Sequence, residues 1–277
     1  MSSALENKNK KFWIIVVNSL VYFLLAYLVV IILTNSFSIL MANIEGLKGR
    51  LYYYGFDVLS ETSAWSSELT FLIFFFGIGF SFFLGLIFER LYKRTRRQSY
   101  HFKMFYLWGY FLSFTYFFGN LLVGTFFFYG TGVIFEQFSL PVIFRIAAGL
   151  LAFIALIYIG VYAARGFQIS LNTYLGNIER PELKWLLTAQ FLYPVIIGNV
   201  FIFFLKIPEY NHVNMMDTIV WLTMIIPSIS LFINLSGLPS IRFRQKNQSI
   251  RIFQVPLIVC IIALLIYRIG LMKGIEF

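Results

Sequence analysis

Side chains able to do chemistry are sparse in this sequence. Two histidines, His101 and His212, and one cysteine, Cys260, are all it has of the commonest transition-metal ligands. A structural or catalytic zinc needs three or four converging ligands, and a Ser-His-acid triad needs a histidine beside its serine. The span map derived below puts the two histidines on opposite sides of a membrane, so neither constellation can assemble around them. Cys260 lies in an apolar run and reads as a small hydrophobe, with no second cysteine for a disulfide. No GxxxxGK[ST] or GxGxxG phosphate-cradling loop occurs. The sequence therefore predicts no metal and no cofactor, and it points away from an enzyme.

What remains is polar residues inside apolar runs. Asn120, Asn199 and Asn234 either line a polar pathway or make hydrogen bonds between helices, the commoner use of intramembrane amides. Arg145, about one turn into a span, either pairs with Glu136 and snorkels or touches a substrate. Arg268 is expected to snorkel outward. Gly77, Ser81 and Gly85 recur at intervals of four, which places small residues on one helix face suited to close packing. No acid falls deep in an apolar run, since Glu89 and Glu136 flank run ends, and this counts against a proton- or sodium-coupled carrier.

The elements that must position these residues are membrane helices. Charged residues make up 12% of the chain, where a soluble domain has about 25%. Hydrophobic residues make up 60%, and the mean hydropathy is +0.80. The apolar runs are continuous and about twenty residues long, which fits an all-α polytopic bundle and not the alternating ten-residue strands of a membrane barrel. Seven spans are expected in one domain over 1–277, at about 12–33, 69–88, 104–128, 141–164, 184–205, 218–235 and 252–272. Thr34 to Ser67 is expected to lie in the interface as short strands or a re-entrant loop, with Tyr52, Tyr53, Tyr54 and Trp65 at headgroup level. Pro194 and Pro227 should kink spans five and six.

Charge orients that map. The hinge from Glu89 to Lys103 carries Arg90, Lys93, Arg94, Arg96, Arg97 and Lys103 against one acid, the mark of a cytoplasmic loop. Its side of the membrane collects 16 of the 22 Lys and Arg but 4 of the 12 acids. The expectation is a plasma (inner) membrane protein with its N-terminus cytoplasmic and its C-terminus opposite. Topology and anionic lipid headgroups then account for the net charge of +10, and no nucleic-acid partner is expected.

The stretch from Thr34 to Ile87 resembles the opening of the site-2-protease-like intramembrane zinc metallopeptidases. Met41-Ala42 and Gly46 would take the positions after the HExxH motif, Leu51 to Leu59 the β-like segment, and Phe76-Gly77-Ile78 the Gly-Pro turn. The motif itself is gone: Thr34, Asn35 and Ser38 stand where His, Glu and His belong, and none replaces a zinc-bound imidazole or a general-base carboxylate. The resemblance covers about a fifth of the chain and implies a pseudoprotease that kept the scaffold. Two function classes follow, a non-catalytic scaffold or accessory subunit binding a partner membrane protein, and a permease for a neutral or lipidic substrate.

Overall fold

Helix α1 (Ser2–Ile44) is the longest element, and a glycine ends it. Gly46 takes φ +80°, and the amides of Gly46 and Leu47 turn back onto the carbonyls of Asn43 and Ala42, both at 3.0 Å. That left-handed closure suits a residue without Cβ. The interfacial segment expected from Thr34 is thus corrected: the helix continues to Ile44. Thr34, Asn35 and Ser38 are polar, yet they are buried against neighbouring elements, so packing carries the helix past the point where hydropathy falls.

The computed structural model describes residues 2–59, 66–98, 101–178, 180–208, 212–243 and 250–277. Trp65, Glu179, Arg244 and Lys246, which figured in the sequence expectations, lie outside the described residues. After α1 comes a hairpin of β1 (Gly49–Tyr52) and β2 (Gly55–Val58), with Arg50 opposite Asp57. Helix α2 (Glu68–Thr95) is capped by Ser66, whose Oγ accepts from the Leu69 amide at 3.1 Å. Its last turn carries Lys93 and Arg94, cations placed where the helix dipole favours them. Next come α3 (Lys103–Phe126) and α4 (Thr131–Gln137), bent 46° from each other around Gly130 at φ +54°. Helix α5 (Val142–Thr173) and β3 (Asn177–Ile178) precede α6 (Pro181–Lys206). Then follow α7 (His212–Leu222), α8 (Ile225–Ile233), β4 (Ile241–Arg242), α9 (Gln254–Gly270) and β5 (Ile275–Glu276).

The result is an all-α bundle of apolar helices, a membrane protein. Among the described residues, five helices are long and apolar enough to cross a bilayer: α1, α2, α5, α6 and the joined α7–α8 from Met215 to Ile233. The bent α3–α4 pair makes a sixth if it counts as one span. The seventh expected span is α9, whose 17 residues reach roughly 25 Å at about 1.5 Å per residue, near the lower limit for crossing. Two small sheets mark the opposite ends. One has the order β2-β1-β5, tying the chain's last residues to the first hairpin through Leu51 opposite Ile275. The other pairs β3 with β4 antiparallel. That second sheet lies at the hinge end, where Asn18 on α1 accepts from the Phe253 amide and donates to the Arg251 carbonyl, both at 2.9 Å.

Both prolines expected to kink spans have their freed carbonyls satisfied. Pro194 leaves the carbonyl of Gln190 without its helical donor, and α6 widens into a π turn over Thr188–Leu192. Ser19 on α1 then donates to that carbonyl at 2.5 Å while its Oγ accepts from Trp108 Nε1 at 3.0 Å. One hydroxyl thereby ties α1, α3 and α6 together. Pro227 frees the Thr223 carbonyl, which accepts instead from Ile226 N at 3.0 Å, and the helix breaks there into α7 and α8. Lipid tails are as apolar as leucine, so close packing and such bonds, more than transfer from water, hold the helices together. Fully buried Trp108 lies at the centre of the packing, with ring centroids of Phe167 at 4.8 Å, Phe23 at 5.0 Å and Phe191 at 5.5 Å. Such pairs contribute about 0.5–1.5 kcal/mol each beyond the area they bury.

Candidate functional site

At the hinge end, α2, α3, α5 and the turn after α8 leave a cavity of about 440 Å³. Helical spacing builds its first wall. Glu89, Tyr92, Lys93 and Arg96 fall at i, i+3, i+4 and i+7 on α2, hence on one face. Lys93 pairs with Glu89 at 2.9 Å, and Glu89 also accepts from the Tyr162 hydroxyl at 2.7 Å. Tyr92 donates to the Gly166 carbonyl at 2.7 Å. The opposite wall is α5, where Tyr158, Tyr162 and Arg165 line the same cavity.

Two features of that lining have no internal partner. Arg96, half-buried, and Arg165, exposed, have no carboxylate partner among the described residues. Tyr110 on α3 is 1% exposed, and its hydroxyl makes no hydrogen bond. The recess is therefore positively charged and holds a buried donor without an acceptor. Chemically it can bind an oxyanion.

A second polar cluster sits toward the other end. The Lys206 ammonium on α6 is bonded to Asp217 on α7, with the two side chains only 2% and 8% exposed. The phenols of Tyr27, Tyr116, Tyr129 and Tyr267 lie within electrostatic range of Asp217. Asp217 stands near the start of the span from Met215 to Ile233, not deep in it. Helix α7 begins at His212, ahead of the apolar run that starts at 218, and carries Asp217 into the bundle.

The sequence-predicted residues are not brought together. Asn120 donates to the Tyr116 carbonyl four residues back at 2.8 Å, and its own carbonyl accepts from Thr131 at 2.8 Å across the α3–α4 bend. Asn199 donates to the Val195 carbonyl at 2.8 Å. Asn234 lines the hinge-end cavity, apart from both. Arg145 is held at its own helix start, 2.5 Å from Glu136 and 2.9 Å from the Leu140 carbonyl. Arg268, near the end of α9, stacks its guanidinium 3.8 Å over the Tyr53 ring and donates to the Leu205 carbonyl at 3.2 Å.

Gly77, Ser81 and Gly85 serve two neighbours within the chain. A Cβ on Gly77 would collide with Ser38 Oγ of α1 at 1.8 Å, and one on Gly85 with the Phe114 ring of α3 at 2.7 Å. Buried Ser81 donates to the Ile78 carbonyl at 2.5 Å. Positions four apart advance about 40° around a helix, since each residue turns about 100°. The stripe therefore turns from α1 toward α3 along its length.

Outside the spans, burial pushes His101 below its ordinary value of 6.5. The ring bonds to the Tyr22 hydroxyl through Nδ1 at 2.5 Å and stacks on Phe253 at 4.4 Å. At the other end, Arg50 and Lys48 hold the Glu276 carboxyl below its ordinary range. Among the described residues no three His, Cys, Asp or Glu side chains converge. A larger groove of about 800 Å³ runs between α6 and α8, lined by Leu192, Val195, Ile225 and Phe232. It offers apolar walls and little that could orient a ligand.

The buried pair was overlooked in the sequence, although opposite charges at the two ends of one short connection, Lys206 and Asp217, were a visible signal. The hinge's cationic character was read directly, but the unpartnered hydroxyl of Tyr110 had no sequence signal. Comparison with known protein families, characterised proteins and solved structures finds no match to this chain.

Proposed function

We propose that this chain is a non-catalytic multi-pass protein of the plasma (inner) membrane that acts as an accessory subunit, holding a partner membrane protein. Its N-terminus and hinge end face the cytoplasm in this reading, and its C-terminus faces the opposite side. The observation that supports it most is helix α5. Only 22% of its most apolar window is buried within the chain, against 72% for α1. Leu150, Leu151, Ile154 and Tyr158 are all exposed along α5, an apolar surface on which another helix can pack. A site-2-protease-like scaffold without its metal ligands belongs to the same reading, with Thr34 and Ser38 at the ligand positions and Asn35 at that of the general base.

A photo-crosslinking residue at Leu151 should give a discrete protein adduct that co-purifies in mild detergent, and one at exposed Ile258 on α9 should not. Lipid adducts alone at both positions reject the partner. For orientation, a cysteine at Arg94 should react with a membrane-impermeant maleimide only after the cells are permeabilised. Labelling in intact cells rejects the orientation. The alternative, a permease for a neutral or lipidic substrate, draws less support, because Asn120 and Asn199 donate to their own helices and Asn234 lies elsewhere.

A further inference from the structure

We infer that the hinge-end cavity binds a phosphate group. Two guanidinium groups, Arg96 on α2 and Arg165 on α5, line a recess of about 440 Å³, within the usual size of small-ligand sites. A guanidinium presents a planar fork of donors that matches phosphate oxygens two at a time. Glu89 already neutralises Lys93, so the two arginines leave the recess with positive charge that no carboxylate among the described residues offsets.

An independent observation points the same way. Tyr110 is among the residues lining this recess, and its hydroxyl is buried and has no acceptor. Burying an O–H without a partner is unfavourable, and a phosphate oxygen would supply the missing acceptor. Asn234 adds an amide to the same lining. At the mouth, Tyr158 and Tyr162 stack at 6.2 Å and remain 67% and 40% exposed, as aromatic rings do at headgroup level. The same phosphate chemistry occurs in a phospholipid headgroup and in a soluble phosphate. The inference goes beyond the accessory-subunit reading and holds whichever side of the membrane the hinge faces.

The test uses the full chain in nanodiscs of phosphatidylcholine, with and without phosphatidylglycerol, and reads retained lipid by native mass spectrometry together with the melting temperature. Arg96→Gln/Arg165→Gln should weaken phosphatidylglycerol binding about tenfold or more, as loss of charge-assisted bonds implies. Tyr110→Phe should weaken it about three- to tenfold, while melting in neutral lipid is unchanged or higher, since no protein bond is lost. If the double variant misfolds, Tyr110→Phe carries the test alone. Arg94→Gln/Arg97→Gln removes the same charge from exposed hinge positions outside the cavity, and binding should stay within about twofold of the parent.

Inorganic phosphate that binds in neutral nanodiscs and is lost in the cavity variant assigns a soluble source. Phosphatidylglycerol that millimolar phosphate does not displace assigns the headgroup. If the hinge control loses as much binding as the cavity variant, or neither phosphate source binds, the inference is overturned. Those results leave the partner and orientation readings untouched, which stand on crosslinking and cysteine labelling.

Discussion

Asp217→Asn leaves the Lys206 ammonium, only 2% exposed, without a counter-charge in the bundle. Removing one member of a buried pair destabilises by about 3–5 kcal/mol, because the remaining charge is desolvated and unpaired. The surrounding phenols of Tyr27, Tyr116, Tyr129 and Tyr267 offer dipoles but no formal charge at neutral pH. Asp217 Oδ1 already has no hydrogen-bond partner, so the pair begins with part of its bonding capacity unmet. Lys206→Met should destabilise by a similar amount for the mirror reason. Lys206→Met/Asp217→Leu removes both charges, and its stability should return to within about 1 kcal/mol of the parent or rise above it. The cycle therefore predicts a coupling of about 5 kcal/mol or more, large for two residues in contact. Tryptophan-monitored unfolding in lipid nanodiscs measures it, and Trp221 is a local reporter, with the Tyr27 and Tyr116 ring centroids each 5.0 Å away. Single variants within about 1 kcal/mol of the parent, or a double variant as unstable as the two singles added, would refute the reasoning.

Three further outcomes are expected. Gly160→Ala should destabilise by about 1–3 kcal/mol, since its Cβ would lie 2.1 Å from the backbone carbonyl oxygen of Pro227; Gly79→Ala, with nothing within 4 Å, should be neutral or slightly stabilising, and melting curves of the two variants check the contrast. Because burial holds His101 below 6.5 in the fold, the unfolded chain binds the proton more readily. Its contribution to stability is then present above 6.5 and is lost as pH falls through the lower folded value; a pH series of melting temperatures should be flatter for His101→Phe than for the parent. Asn18→Ala strands the Phe253 amide and the Arg251 carbonyl together, for a loss of about 2–4 kcal/mol, and hydrogen exchange at Phe253 should rise.

Which parts of this structure were legible in one dimension follows from particular residues. The apolar runs located each long helix to within a few residues at most ends, because a continuous twenty-residue hydrophobic stretch has little alternative to a helix in lipid. Pro194 announced a disturbance in α6, but the donor that answers it, Ser19, is 171 positions away. Gly77 and Gly85 were recognised as packing residues. That they face α1 and α3 respectively depends on where those helices cross α2.

Composition and charge order by themselves determined that this chain is a helical membrane protein and that its cations concentrate on one set of connections. Both are sums over local residues and need no knowledge of contacts. Tertiary structure decided which polar groups find partners. Lys206 meets Asp217 only because α6 and α7 close on each other, and the packing of the helices buries the Tyr110 hydroxyl without bringing it an acceptor. Hydrogen bonds and ion pairs act over a few ångströms between distant parts of the chain, so their presence or absence is settled by packing and not by sequence position.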